Sequence, residues 1–253
     1  MNRQVWTLLS FLLEIVLIRP AAGTDWPQFR GPTGNGISSD AKAPLEWNDT
    51  KNIQWKIALP GPGSSSPIVS GDYVFVTCYS GYGVAPEEPG KIEDLKRHLL
   101  CLKLNEGKVV WSHSVDAVLP EDAFRGMGIT EHGYASSTPV ADGQHVYVFF
   151  GKTGVLAFDF QGKELWRADV GHESSNRRWG SSASPILYRD TVIVNASEES
   201  RSIRALDKMT GKEKWKAEAA ALQLSYATPL VVDLHDAGEH EAVEIGAQAA
   251  NVG

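Results

Sequence analysis

Cysteine is scarce in this chain. Two residues, Cys78 and Cys101, stand in 253, too few for a disulfide-stapled scaffold, and they lack the two-residue spacing of a redox or zinc motif. Positive charge is short as well: 24 Lys and Arg face 31 Asp and Glu, a net charge of −7. The basic runs Lys96-Arg97-His98 and Arg177-Arg178 are too brief to follow a phosphate backbone, so nucleic acid is excluded as a partner. There is no Gly-rich phosphate loop, no nucleophile elbow and no His-rich metal signature. The longest apolar stretch, 5–18, is short for a membrane span. Arg3 precedes it and Ala21-Ala22-Gly23, small residues a signal peptidase accepts, follow it, so 1–23 is expected to be a signal peptide and the mature chain to start at Thr24. Export to the periplasm or beyond is the consequence, with no stable membrane span.

What the chain does have is glycine, proline and repetition. Its 24 Gly, 13 Pro and 42% apolar residues suit a turn-rich β protein with a real core. The phrase Gly107-Lys108-Val109-Val110-Trp111 returns as Gly162-Lys163-Glu164-Leu165-Trp166 and as Gly211-Lys212-Glu213-Lys214-Trp215, each after a short hydrophobic run. The glycine opens a tight turn that needs positive φ, and the Trp sits in the outgoing strand. Upstream, Ser66-Pro67, Thr138-Pro139, Ser184-Pro185 and Thr228-Pro229 each precede branched apolar residues, with proline where it withholds no ladder donor. Self-similarity at about 50 residues with only strands between turns predicts propeller blades, each a four-stranded antiparallel sheet. The second unit is read as strands over 138–141, 145–150, 154–160 and 164–170, and the third as 185–188, 191–195, 202–207 and 213–217.

The run from Ala205 through Asp207 and Gly211 to Trp215, with Ala157-Phe158-Asp159 ahead of Gly162 and Trp166, resembles the PQQ-like repeat of quinoprotein-type propellers over 53–233. The opening Asp25-Trp26-Pro27-Gln28-Phe29-Arg30-Gly31-Pro32 resembles the mature start of secreted bacterial members, including the outer-membrane assembly propeller. The resemblance implies that Trp55, Trp111, Trp166 and Trp215 dock between blades. It also implies a ring of seven or eight blades at about 45 residues each, which this chain is too short to supply. About four blades are expected, an incomplete ring over 52–253 behind an N-terminal extension at 24–51. The fourth unit starts at Thr228 without a Gly-Lys-x-x-Trp finish, and 52–59 reads as an outer strand without its own blade, so a fragment is expected over a natural half-propeller.

Cys78 and Cys101 fall on the second and third strands of the first blade, where they are either a cross-strand disulfide or two buried thiols. Strand alternation places the tight turns on one side of the disc and the long segments 80–97, 116–137, 171–184 and 196–201 on the other. Loops held on a rigid scaffold are where binding concentrates. Candidate contact residues there are Glu131, His132 and Tyr134 before the second blade, and Arg177, Arg178 and Trp179 before the third. Glu131, Asn195 and Glu198 have the chemistry of calcium ligands. Two functions fit: a non-enzymatic module that binds a protein or glycan through the long-loop face, or, as the resemblance also implies, an alcohol or sugar dehydrogenase dependent on pyrroloquinoline quinone and calcium. The vicinal cysteines of such dehydrogenases are absent from this chain.

Overall fold

A computed structural model of the chain describes residues 25–38, 43–218 and 220–231. The expected leader at 1–23 and the end of the fourth unit at 232–253 lie outside them. The described strands form three four-stranded antiparallel sheets, each made of consecutive strands. The first holds β1 (Ile68–Ser70), β2 (Tyr73–Ser80), β3 (Lys96–Lys103) and β4 (Val109–Asp116). The second holds β5 (Val140–Ala141), β6 (His145–Phe149), β7 (Val155–Asp159) and β8 (Glu164–Ala168), and the third β9 (Ile186–Tyr188), β10 (Thr191–Ala196), β11 (Ser202–Asp207) and β12 (Glu213–Glu218). This is an all-β propeller architecture, and no closed ring is formed among the described residues. The inner strands β5 and β9 begin one or two residues later than expected, because Pro139 and Pro185 bring no N–H to the ladder.

One irregularity repeats in each blade. The register shifts between Cys101 and Leu102, between Ala157 and Phe158, and between Ala205 and Leu206. At each shift a small residue faces the repeat Trp directly: Cys101 opposite Trp111, Ala157 opposite Trp166, Ala205 opposite Trp215. A bulge at this point turns the outer strand, and the small side chain leaves room for the indole on the shared face.

Three indoles reach the next blade. Trp55 Nε1–H donates to Leu104 O at 2.8 Å, Trp111 Nε1–H to Phe160 O at 2.9 Å and Trp166 Nε1–H to Lys208 O at 3.0 Å. The rings lie over the turn glycines Gly107, Gly162 and Gly211, where a Cβ would come within 2.4, 2.8 and 2.5 Å of them. Docking therefore holds for Trp55, Trp111 and Trp166, all half-buried. Trp215 is a correction: it is 37% exposed, because no described turn lies beyond β12 to receive it. Segment 52–59, read as an outer strand, forms none and pairs with no described strand.

The Ser/Thr-Pro motif has a role of its own. Ser66 N–H donates to Thr138 Oγ1 at 3.0 Å, Thr138 N–H to Ser184 Oγ at 3.0 Å, and Ser184 N–H to Thr228 Oγ1 at 3.2 Å. The hydroxyls form a hoop from one blade to the next. The N-terminal segment lies across the same inner strands, with Trp26 and Val69 exchanging backbone hydrogen bonds at 2.9 Å and Pro27 O accepting from Ala141 N–H at 2.9 Å. Apolar packing fills the seams, with Phe75, Val146, Leu156 and Phe158 in one cluster and Tyr147, Val155, Val192 and Leu206 in the next.

The cysteines are both free and buried. Cys78 is paired with His98 and Cys101 with Phe75, so the two thiols are three register positions apart on opposite faces of the sheet and cannot bond. Burial raises the pKa of both, that of Cys101 to about 12.

Candidate functional site

The long segments gather on one side, as strand alternation requires, and two of them carry short helices: α1 (Ile129–His132) and α2 (Ser197–Ser200). Beneath them runs a seam of buried charge that the sequence did not disclose. Arg97 on β3 donates from Nε to Tyr134 O at 2.9 Å, from Nη1 to Thr153 Oγ1 at 3.0 Å and from Nη2 to Glu121 Oε2 at 2.6 Å. Both members of the Arg97–Glu121 pair are only 4% exposed. Lys152, in a 3₁₀ turn at Gly151–Thr153, pairs with Asp122 at 3.2 Å and donates to Ser174 Oγ at 2.7 Å. These two cations each have a carboxylate, so they join blade one, blade two and both long segments.

Glu198 and Glu199 are the excess. Although they lie in a loop segment, these two are 3% and 2% exposed, because α2 folds under 171–184. Glu198 accepts from Ser175 N–H and from the Tyr226 hydroxyl, both at 3.1 Å. Glu199 Oε1 accepts from the Ser181 hydroxyl, while its Oε2 is buried with no hydrogen-bond partner. Burial pushes the Glu199 carboxyl up to about 7, opposed by the Ser181 hydrogen bond and reinforced by the charge of Glu198. Glu198, Glu199 and Ser181 line a cavity of about 20 Å³, room for a water molecule.

The expected contact residues separate into two groups. Tyr134 is core: it is buried, its hydroxyl donates to Asp122 O at 2.7 Å, and its ring packs against Tyr79 and Tyr82. His132 is half-buried and ties the two segments together, with Nδ1 2.7 Å from Ser136 Oγ and Nε2 2.8 Å from Trp179 O. Glu131 is exposed on α1. Trp179 is half-buried, with the Arg177 guanidinium 5.6 Å from its ring centroid and the Tyr226 ring stacked at 5.8 Å. The indole is thus engaged by both side chains. Arg177 and Arg178 are exposed, and neither forms an ion pair with a described residue.

A family model described as outer membrane protein assembly factor BamB matches residues 95–240, more than half of the chain. The chain belongs to that family. Among solved structures, the quinohemoprotein alcohol dehydrogenase from Comamonas testosteroni shares 17% identity at a TM-score of 0.48, over 78% of this chain and 27% of that one. BamB from Moraxella catarrhalis shares 20% at a TM-score of 0.38, over 68% and 54%. The computationally designed Ika4 protein shares 12% at 0.37, over 72% and 89%. This chain thus spans about a quarter of the dehydrogenase and about half of the Moraxella BamB. No curated protein matches it.

Glu131, Asn195 and Glu198, the candidate calcium ligands, do not form one site. Asn195 is buried and its amide nitrogen donates to Ser225 O, Ser225 Oγ and Ala227 O, while its Oδ1 accepts from Ser197 N–H. Glu198 has two donors of its own, and Glu131 stands apart in the exposed part of α1. The three are not brought together, and among the described residues no group of three or more His, Cys, Asp or Glu is placed to hold a metal ion. No helix of the described residues is long and apolar enough to cross a membrane.

Proposed function

We propose that this BamB-family chain is an exported, non-enzymatic binding module of the bacterial envelope, which captures an acidic segment of a partner protein through Arg177 and Arg178. The observation that carries this is a pair of exposed guanidiniums without ion-pair partners among the described residues, in a chain of net charge −7. The Trp179–Tyr226 stack beneath Arg177 limits its side-chain freedom, so less entropy is lost when a carboxylate is gripped. Trp179 is half-buried and already engaged by Arg177 and Tyr226, which leaves little of its ring for a sugar to stack on. That favours a protein over a glycan. The family's description as an assembly factor for outer membrane proteins supports the same choice.

The test is fluorescence anisotropy of a dye-labelled poly-glutamate peptide titrated with the full chain at low and high salt. Saturable binding that weakens with salt, and that R177E/R178E abolishes without changing the melting temperature, is the expected result. Equal affinity for an uncharged peptide, or an unaltered titration with R177E/R178E, would overturn the assignment.

A further inference from the structure

We propose that Glu199 is a proton-operated latch on segment 171–184: the segment is held against α2 when the buried carboxyl carries a proton and is released when the proton leaves.

The argument starts from charge balance. The groups facing Glu199 are Glu198 on its own helix, Glu121 and Asp122 from the segment after β4, Arg97 from β3, Lys152 from the 3₁₀ turn, and the Ser181 hydroxyl from 171–184. Arg97 is paired with Glu121 and Lys152 with Asp122, so the two cations are already matched. Glu198 and Glu199 remain, adjacent, buried and without a cation. Glu198 has a backbone N–H and a phenol to stabilise a negative charge. Glu199 has one hydroxyl on Oε1 and nothing on Oε2. A lone buried carboxylate oxygen with no donor is the least favourable place in this seam for charge, so the balancing proton belongs on Glu199.

Geometry turns that proton into a latch. Segment 171–184 is attached to α2 at three points: Ser181 Oγ–H on Glu199 Oε1, Glu173 N–H on Glu199 O at 2.9 Å, and Ser175 N–H on Glu198 Oε2 at 3.1 Å. Two of the three involve Glu199. Gly171 also packs so closely that a Cβ there would meet Glu199 O at 2.3 Å. Loss of the proton sets two unscreened carboxylates side by side beneath these attachments. The Ser181 bond favours the carboxylate and so opposes release; what drives the segment off is Oε2, which on ionising is a buried charge without a donor beside Glu198 until water enters the seam. Burial has already moved this group into the neutral range, where the environment can switch it. The inference stands on the seam alone and not on the partner reading above, although the released segment carries Arg177, Arg178 and Trp179.

The test is amide hydrogen exchange of the full chain, corrected for intrinsic rates, at about pH 5.5 and about pH 8, with β6 and β7 as internal reference. In the wild type, protection of 171–184 is expected to fall about tenfold at the higher pH while the reference strands hold. Glu199→Gln, which keeps the shape and never ionises, should stay protected at both. Ser181→Ala should lower protection at about pH 5.5 while leaving the reference strands unchanged. Equal wild-type protection at the two pH values overturns the latch, and so does a Glu199→Gln protein that tracks the wild type. Should that variant not fold, the wild-type comparison and Ser181→Ala decide. Binding of acidic peptide is not read in this experiment, so its outcome is separable from the partner assignment.

Discussion

The Thr138 hydroxyl oxygen accepts the backbone N–H of Ser66 at 3.0 Å, so a side chain from the second blade satisfies the main chain of the first. Ser184 and Thr228 repeat the arrangement one and two blades later. Each of these N–H donors lies two residues ahead of its blade's inner strand and so has no ladder partner, and the next blade's hydroxyl supplies one. Thr138→Val keeps the volume and removes the acceptor, which leaves a part-buried N–H unsatisfied and is expected to cost about 1–3 kcal/mol. Thr138→Ser should lie within about 1 kcal/mol of wild type by the same reasoning. Urea melts of the two variants check this. Equal stability of both would show that the hydroxyl is not the group that matters.

The Trp and glycine of successive blades form a second inter-blade contact. Trp111→Ala removes a half-buried indole and its bond to Phe160 O, and is expected to cost about 2–4 kcal/mol. Gly162→Ala attacks the same contact from the other side: φ is +89°, and the new Cβ would sit 2.8 Å from the indole, for a cost of about 2–4 kcal/mol. Their effects should be less than additive, because either change breaks one shared contact. Trp215→Ala, at a side chain 37% exposed, should cost less than Trp111→Ala.

The blades were legible in the sequence because turn glycine, repeat Trp and strand-opening proline each impose a local backbone condition at a fixed spacing. The bulge opposite each Trp was not read, since Cys101, Ala157 and Ala205 pass for ordinary core residues until the register is known. Arg177, Arg178 and Trp179 were visible as loop residues, but the ring stacked on Trp179 is that of Tyr226, far along the chain. The charge seam was missed outright. Lys96-Arg97-His98 was weighed only as a phosphate contact and Glu198 only as a calcium ligand; burial of Arg97 and both glutamates follows from how two blades and two loops converge, a long-range fact with no local signal.

Removing one member of a buried pair tests that seam directly. Arg97→Met leaves Glu121 charged at 4% exposure and strips Tyr134 O and Thr153 Oγ1 of a donor, so a loss of about 3–5 kcal/mol is expected in chemical denaturation. Adding Glu121→Gln removes the stranded charge and should recover part of the loss. A double variant no better than Arg97→Met would mean that the guanidinium acts through its carbonyl and hydroxyl bonds alone.

The thiols give a reactivity test. Both are buried, and both have pKa values raised by burial, Cys101 to about 12, so thiolate is scarce in the folded protein. An aromatic disulfide reagent at mildly alkaline pH should modify neither in native protein and both after denaturation. Rapid modification of native protein would place at least one thiol at an accessible, low-pKa position, contrary to the packing of β2 and β3.

Glu199 also predicts a pH dependence of stability with a definite sign. Its pKa rises from 4.5 in a free carboxyl to about 7 in the folded chain, so the native state holds this proton more tightly than the unfolded state. Between those values the native state binds more protons, and stability falls as pH rises. The contribution is fully present below about 4.5 and is lost as pH climbs through about 7. A shift of this size corresponds to about 2–4 kcal/mol at most. Other carboxylates act in the opposite sense: Asp142, for example, is held low by the backbone N–H groups of His145 and Gln144 and by Lys208 despite its partial burial, and its contribution is lost in acid. The Glu199 term is therefore read as a difference. The stability of Glu199→Gln minus that of wild type should be flat in acid, increase across the interval and level off above neutrality. A difference independent of pH would show that the carboxylate finds a partner or solvent when it ionises.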